Sequence, residues 1–64
     1  MSEFQLGTPN VPIADQIACV AREIAMRERV YPRLIRQQRM SDTKAHQEIQ
    51  AMRAVLRTLQ GLSE

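Results

Sequence analysis

The chain has 64 residues, a formal net charge of +2 and one cysteine. A chain this short is one domain at most and buries little of its surface alone. With no internal disulfide available, the composition points to a reducing compartment, with Cys19 as a small buried apolar group.

Residues 1–10, MSEFQLGTPN, contain Gly7, Pro9 and Asn10 and show no period. They read as a flexible N-terminal arm in which Phe4 and Leu6 offer apolar contacts. The arm has no basic region followed by an apolar run, so no signal peptide is expected. No stretch of the chain approaches the roughly 20 apolar residues that span a bilayer. A soluble, cytoplasmic protein with no membrane partner is the expectation.

The first helix is predicted over about residues 11–39. Asn10 stands where an N-cap belongs, and Pro12 falls in the first turn, where a missing N–H costs no helical bond. Ile13, Ile17, Val20, Ile24, Tyr31 and Leu34 then recur at spacings of four and three, the seam of a helix packed on another helix. Arg27 and Glu28 break that seam; a pair between Glu28 and Arg53 across to a second helix fits their positions. Pro32 removes a backbone hydrogen bond and crowds the carbonyl of Glu28, so a bend is expected near residues 30–32.

A turn is predicted at residues 40–41. Ser41 is a good N-cap, Met40 before it is placed to staple onto Ala45, and Asp42 complements the helix dipole. The second helix, about residues 42–60, has its own seam in Ala45, Ile49, Met52, Leu56 and Leu59. Gly61 should end it in the left-handed conformation, with Leu62 folding back toward Leu56. A short connection between helices makes antiparallel neighbours. The fold class is therefore all-α: an antiparallel helical hairpin over residues 11–62 with a proline-kinked first helix.

One interface between two helices cannot enclose its side chains on every side. The first helix also carries a second apolar stripe, Cys19, Met26 and Val30, away from Ile17 and Ile24. That stripe predicts a homo-oligomeric helix bundle, at least a dimer, with these three residues in the interface.

The charge is unevenly placed. Residues 22–39 carry six arginines against Glu23 and Glu28, a net +4, while residues 1–21 sum to −2 and residues 40–64 to zero. Arginine presents a planar fork of donors that suits phosphate and carboxylate. Arg22, Arg29, Arg33 and Arg36 fall within one narrow helical sector, and Tyr31 is close in sequence. These five residues are the candidate ligand site: guanidinium groups for an anion, with Tyr31 to stack on a base. The competing reading is a solvated face that keeps the chain soluble. His46 stands alone and reads as a surface residue, Ser41 as a cap, and Cys19 has no histidine partner in reach. No catalytic set, cofactor motif or metal spacing can be assembled, so neither an enzyme nor a metal site is expected.

The run AREIAMRERVYPRLIRQQRMSDTKAHQEIQAMRAVLRTL, residues 21–59, resembles a group of small phage and prophage proteins. The resemblance rests on Glu23, Met26, Arg27, Val30, Tyr31 and Pro32, then Met40 before a Ser or Thr cap, then Ala45, Glu48, Ile49, Met52, Ala54 and Leu56. Members often carry a glycine shortly before the Arg/Lys-Met pair, where this chain has Gln37 and Gln38. The resemblance implies a phage origin and a role by binding: blocking host defence enzymes, redirecting host proteins or sequestering nucleotide signals. The leading expectation is a non-enzymatic anti-defence or host-takeover protein that grips an anionic ligand, a nucleotide signal in its sharpest form. The alternative is a stoichiometric inhibitor or adaptor docked on a host protein. A double-stranded nucleic-acid binder is the third, less favoured for its modest charge and lack of a helix-turn-helix pattern.

Overall fold

A computed structural model of the protein describes residues 10–63. Among these residues there are two helices and no strand: α1, Ile13–Arg36, and α2, Asp42–Leu62. Residues 11–20 lie beside Val55 and Leu59, and residues 28–35 beside Asp42–Ile49, so the helices run antiparallel. The arm expected over residues 1–10 falls, except for Asn10, outside the described residues.

The two seams meet as their spacing requires. Ile24 and Ala45 are each 6% exposed and form the buried centre. Ile13, Ile17, Val20, Tyr31 and Leu34 of α1 and Ile49, Met52, Leu56 and Leu59 of α2 are half-buried along the same contact. No side chain is fully buried among the described residues. Two cylinders touch along a line, so each seam residue is covered from one side and open at its flank.

The start of α1 differs from expectation. The capping position is Pro12, two residues beyond Asn10, and it has no side-chain oxygen to offer. Its carbonyl instead accepts from the N–H of Asp15 and Gln16 at 3.0 and 3.1 Å. Gln16 Nε2 donates back to the carbonyl of Val11 at 2.8 Å, and Asp15 supplies the negative charge the first turn favours. Pro12 sets φ at −56° and ψ at 147°, which directs the chain into the helix without a cap bond.

α1 is uninterrupted at Pro32. It ends at Arg36, three residues earlier than the sequence pattern extends, because Gln38 takes φ 60°. The N–H of Gln38 donates to Ile35 O and that of Arg39 to Leu34 O, both at 2.9 Å. These two bonds make a Schellman ending, with Gln38 at the position usually given to glycine. The turn thus holds a residue that carries a Cβ in a conformation that glycine adopts most readily.

Ser41 caps α2, its hydroxyl accepting from the N–H of Lys44 at 3.0 Å. At the other end Gly61 remains helical, with no positive φ, and α2 runs on to Leu62. Leu62 is 65% exposed, so it does not fold back on Leu56. The closing group is Ser63, whose hydroxyl donates to Gln60 O at 2.8 Å and whose N–H reaches the Leu59 and Gln60 carbonyls. The last carbonyls therefore have donors without a left-handed residue.

Two substitutions test these ends by urea unfolding followed by circular dichroism. Ser41→Ala should lower stability by about 1 kcal/mol through loss of the cap. Gln38→Gly should be neutral or raise stability by up to about 1 kcal/mol, whereas a β-branched Gln38→Val should lower it by about 1–2 kcal/mol.

Candidate functional site

At about 100° per residue, Arg22, Arg29, Arg33 and Arg36 lie within about 60° of one another on α1. The row is centred roughly opposite Ile24, so it points away from α2. All four side chains are exposed. The row is about 21 Å long from Arg22 to Arg36, at 1.5 Å per residue. None of the four forms an ion pair with a described residue; the ion pairs among these residues are Glu23–Arg27, Glu28–Arg53 and Lys44–Glu48. Arg29 and Arg33, four apart, and Arg33 and Arg36, three apart, are therefore neighbouring like charges, which costs helix stability.

Tyr31 does not join this row. It is half-buried and lies close to 180° from Arg22 around the helix, on the seam side. There it lines a cleft with Glu28, Pro32, Ile35, His46 and Ile49. Adjacency in sequence placed it near the arginines, but one residue is a rotation of about 100°. A base held by the arginine row has no stacking partner in Tyr31 of the same chain. Arg39, the last arginine of the segment, falls in the turn beyond the end of α1 and stands apart from the row.

The polar breaks in the seam resolve in two ways. Arg27 turns back along its own helix, donating to Glu23 Oε1 at 2.5 Å and to the Glu23 carbonyl at 3.2 Å. The hydrogen bond to Glu23, partly offset by desolvation, raises the pKa of its guanidinium above the ordinary value. Glu28 reaches across the hairpin and accepts from Arg53 Nη2, as their sequence positions allowed. This pair closes one flank of the hairpin with charge.

The other flank is apolar at the open end of the hairpin. Val11, Cys19 and Val20 from the α1 side face Val55 and Leu59 of α2 across a groove of about 470 Å³, with Asp15 and Gln16 on its rim. Cys19, expected to be buried, is exposed here. Its sector lies between the arginine row and the seam, beyond the reach of α2. Met26 and Val30, the other members of the second stripe, are half-buried on the same side. The sequence reading missed the α2 contribution. Ala51, Val55, Thr58 and Leu62 recur at spacings of four, three and four, and all are exposed, Val55 at 48%. That period was a readable signal for a second face; its junction with Val11 and Cys19 was not.

His46 is exposed. Among the described residues no three of His, Cys, Asp and Glu are grouped to hold a metal ion, and no helix is long and apolar enough to cross a membrane. No family model, no curated protein and no solved structure matches the chain.

If the row exists for a partner, relieving its repulsion should help the fold. Arg29→Glu, which sets an acid four residues before Arg33 and away from the helix ends, should raise stability slightly at low salt, by about a few tenths of a kcal/mol. The gain should vanish in high salt. In a double-mutant cycle, the exposed Glu28–Arg53 pair should show a coupling of about 0.2–1 kcal/mol.

Proposed function

We propose that this chain is a stoichiometric binding protein that assembles with itself and presents the α1 arginine row to an anionic partner. The observation that carries this reading is the row itself. Arg22, Arg29, Arg33 and Arg36 stand on one exposed face without neutralising carboxylates among the described residues. A face serving solubility alone is as well made from interspersed signs, as Lys44 and Glu48 do on α2. The resemblance to small phage proteins supports an anti-defence or host-takeover role in the cytoplasm of a bacterial host.

The geometry bears on the kind of partner. The row is convex, and its four arginines line none of three clefts found among the described residues. A mononucleotide is held in concave sites that cover most of it, whereas a line of charge about 21 Å long suits an extended acidic surface. An inhibitor or adaptor docked on an acidic face of a host protein is the reading we favour, with exposed arginines as anchors. The nucleotide-signal reading needs two rows facing each other across an oligomer. The bend expected at Pro32 belongs to the same proposal, since it sets the direction of Arg33 and Arg36 relative to Arg22 and Arg29.

Three probes separate the readings. The wild-type chain and the double variant Arg29→Glu/Arg33→Glu are each tested against an acidic poly-glutamate peptide, a panel of mono- and cyclic nucleotides, and a short DNA duplex. Salt-sensitive binding of the peptide, lost at least tenfold in the variant, is expected. A rise in melting temperature with micromolar nucleotide, absent in the variant, favours the nucleotide reading instead. A duplex shift whose affinity falls steeply with salt points to nucleic acid. Equal behaviour of wild type and variant with every probe defeats the arginine row as a binding face.

A further inference from the structure

The groove at the open end is the most apolar cleft among the described residues, and Asp15 is the one charged side chain that lines it. On α1, Asp15 and Arg22 are one heptad apart and within about 20° of each other on the same edge of the helix. Asp15 lines the groove beside Cys19. Within one chain the two are too far apart to pair: seven residues of helix are about 10 Å. They are, however, equally spaced either side of a point between Ala18 and Cys19.

We propose that the groove is filled by a second copy of this chain, open end to open end. In this pair α1 crosses α1 of the partner copy antiparallel, on a two-fold axis between Ala18 and Cys19. The symmetry then sets Asp15 of each copy beside Arg22 of the other, twice. Val11, Cys19, Val55 and Leu59, with exposed Leu62 at the same end, supply the apolar surface under those pairs. An axis placed half a heptad further along, near Arg22, sets Arg22 against Arg22 and is disfavoured by like charge. Charge therefore selects the register, and apolar area supplies the attraction. The need for such cover is visible in the lone hairpin, where Ile24 and Ala45 alone are buried among the described residues.

Nearer the turn the same flank is mixed, with charged pairs standing beside half-buried Met26 and Val30. Glu23–Arg27 and Lys44–Glu48 interrupt it, so the continuous apolar contact lies in the open half. The arrangement has a consequence for the arginine row. Arg22 is drawn into the interface, and Arg29, Arg33 and Arg36 of each copy remain free. The two clusters then lie on one face of the pair, with the Arg29 residues roughly 30 Å apart along the helices. One small nucleotide does not bridge that distance; an extended acidic surface does.

This inference rests on the self-assembly proposed above and adds the register. Sedimentation or light scattering of the full chain from 1 to 100 µM under reducing conditions tests it. The wild type should show about twice 7.4 kDa. Asp15→Arg and Arg22→Asp should each weaken the dimer about tenfold or more, equivalent to 1.4 kcal/mol, while helix content by circular dichroism is kept. The combined Asp15→Arg/Arg22→Asp chain should regain dimerisation to within a few-fold of wild type, because the pair is restored with its signs exchanged. Val55→Asn, which removes apolar area from the groove without adding a charge near Asp15, should also weaken the dimer about tenfold or more. A wild-type monomer throughout overturns the proposal, including the case in which residues 1–9 of the same chain cover the groove. A dimer indifferent to the single changes, or a double variant as weak as the singles, overturns the register while leaving self-assembly standing. Partner binding is read separately on Arg29→Glu/Arg33→Glu, whose dimer should be intact.

Discussion

Two helical rods in contact share one narrow seam, and that constraint governs the rest of this protein. Ile24 and Ala45 sit where the seam is tightest and are the buried residues among those described. Every other seam residue, from Ile13 to Leu34 and from Ile49 to Leu59, is covered by the opposite helix and open to one side. The hydrophobic effect scales with area removed from water, so a half-covered isoleucine contributes only part of its potential. A third and fourth helix would complete the cover.

The flanks of the seam divide the labour. One is closed by the Glu28–Arg53 pair, which is exposed, contributes little energy and discourages further apolar packing there. The other is left open and apolar between Val11, Cys19, Val55 and Leu59. The outer face of α1 carries the arginines. The hairpin thus has three unlike sides, one closed by charge, one open and apolar and one basic. That asymmetry is the ground on which self-assembly and partner binding are proposed for different faces.

The helix ends show how a local sequence is satisfied in more than one way. At the turn, the carbonyls of Leu34 and Ile35 receive their donors only because Gln38 enters the left-handed region. At the end of α2 Gly61, the residue expected in this role, stays helical, and Ser63 supplies the bonds. In the first case the chain must reverse to bring α2 against α1, so the strain at Gln38 is offset by the packing of the whole hairpin. In the second no element follows within the described residues to require a reversal.

Apolar spacing specified the two helices and their seams, and residue type at the breaks in it specified the cap at Ser41 and the pairing of Glu28 with Arg53. A helix repeats every 3.6 residues, so the spacing of four and three is itself a statement of which face is buried. The same arithmetic placed Arg22, Arg29, Arg33 and Arg36 on one side. Only the tertiary structure decided where α1 stops, that Tyr31 turns away from the arginines into the cleft with His46, and that Cys19 is exposed. It also brought Val11 and Val55, 44 positions apart in the sequence, to the two walls of one groove. Periodicity records the orientation of side chains around a single axis; which orientations are covered depends on where the second axis lies, and that is settled by how the chain turns.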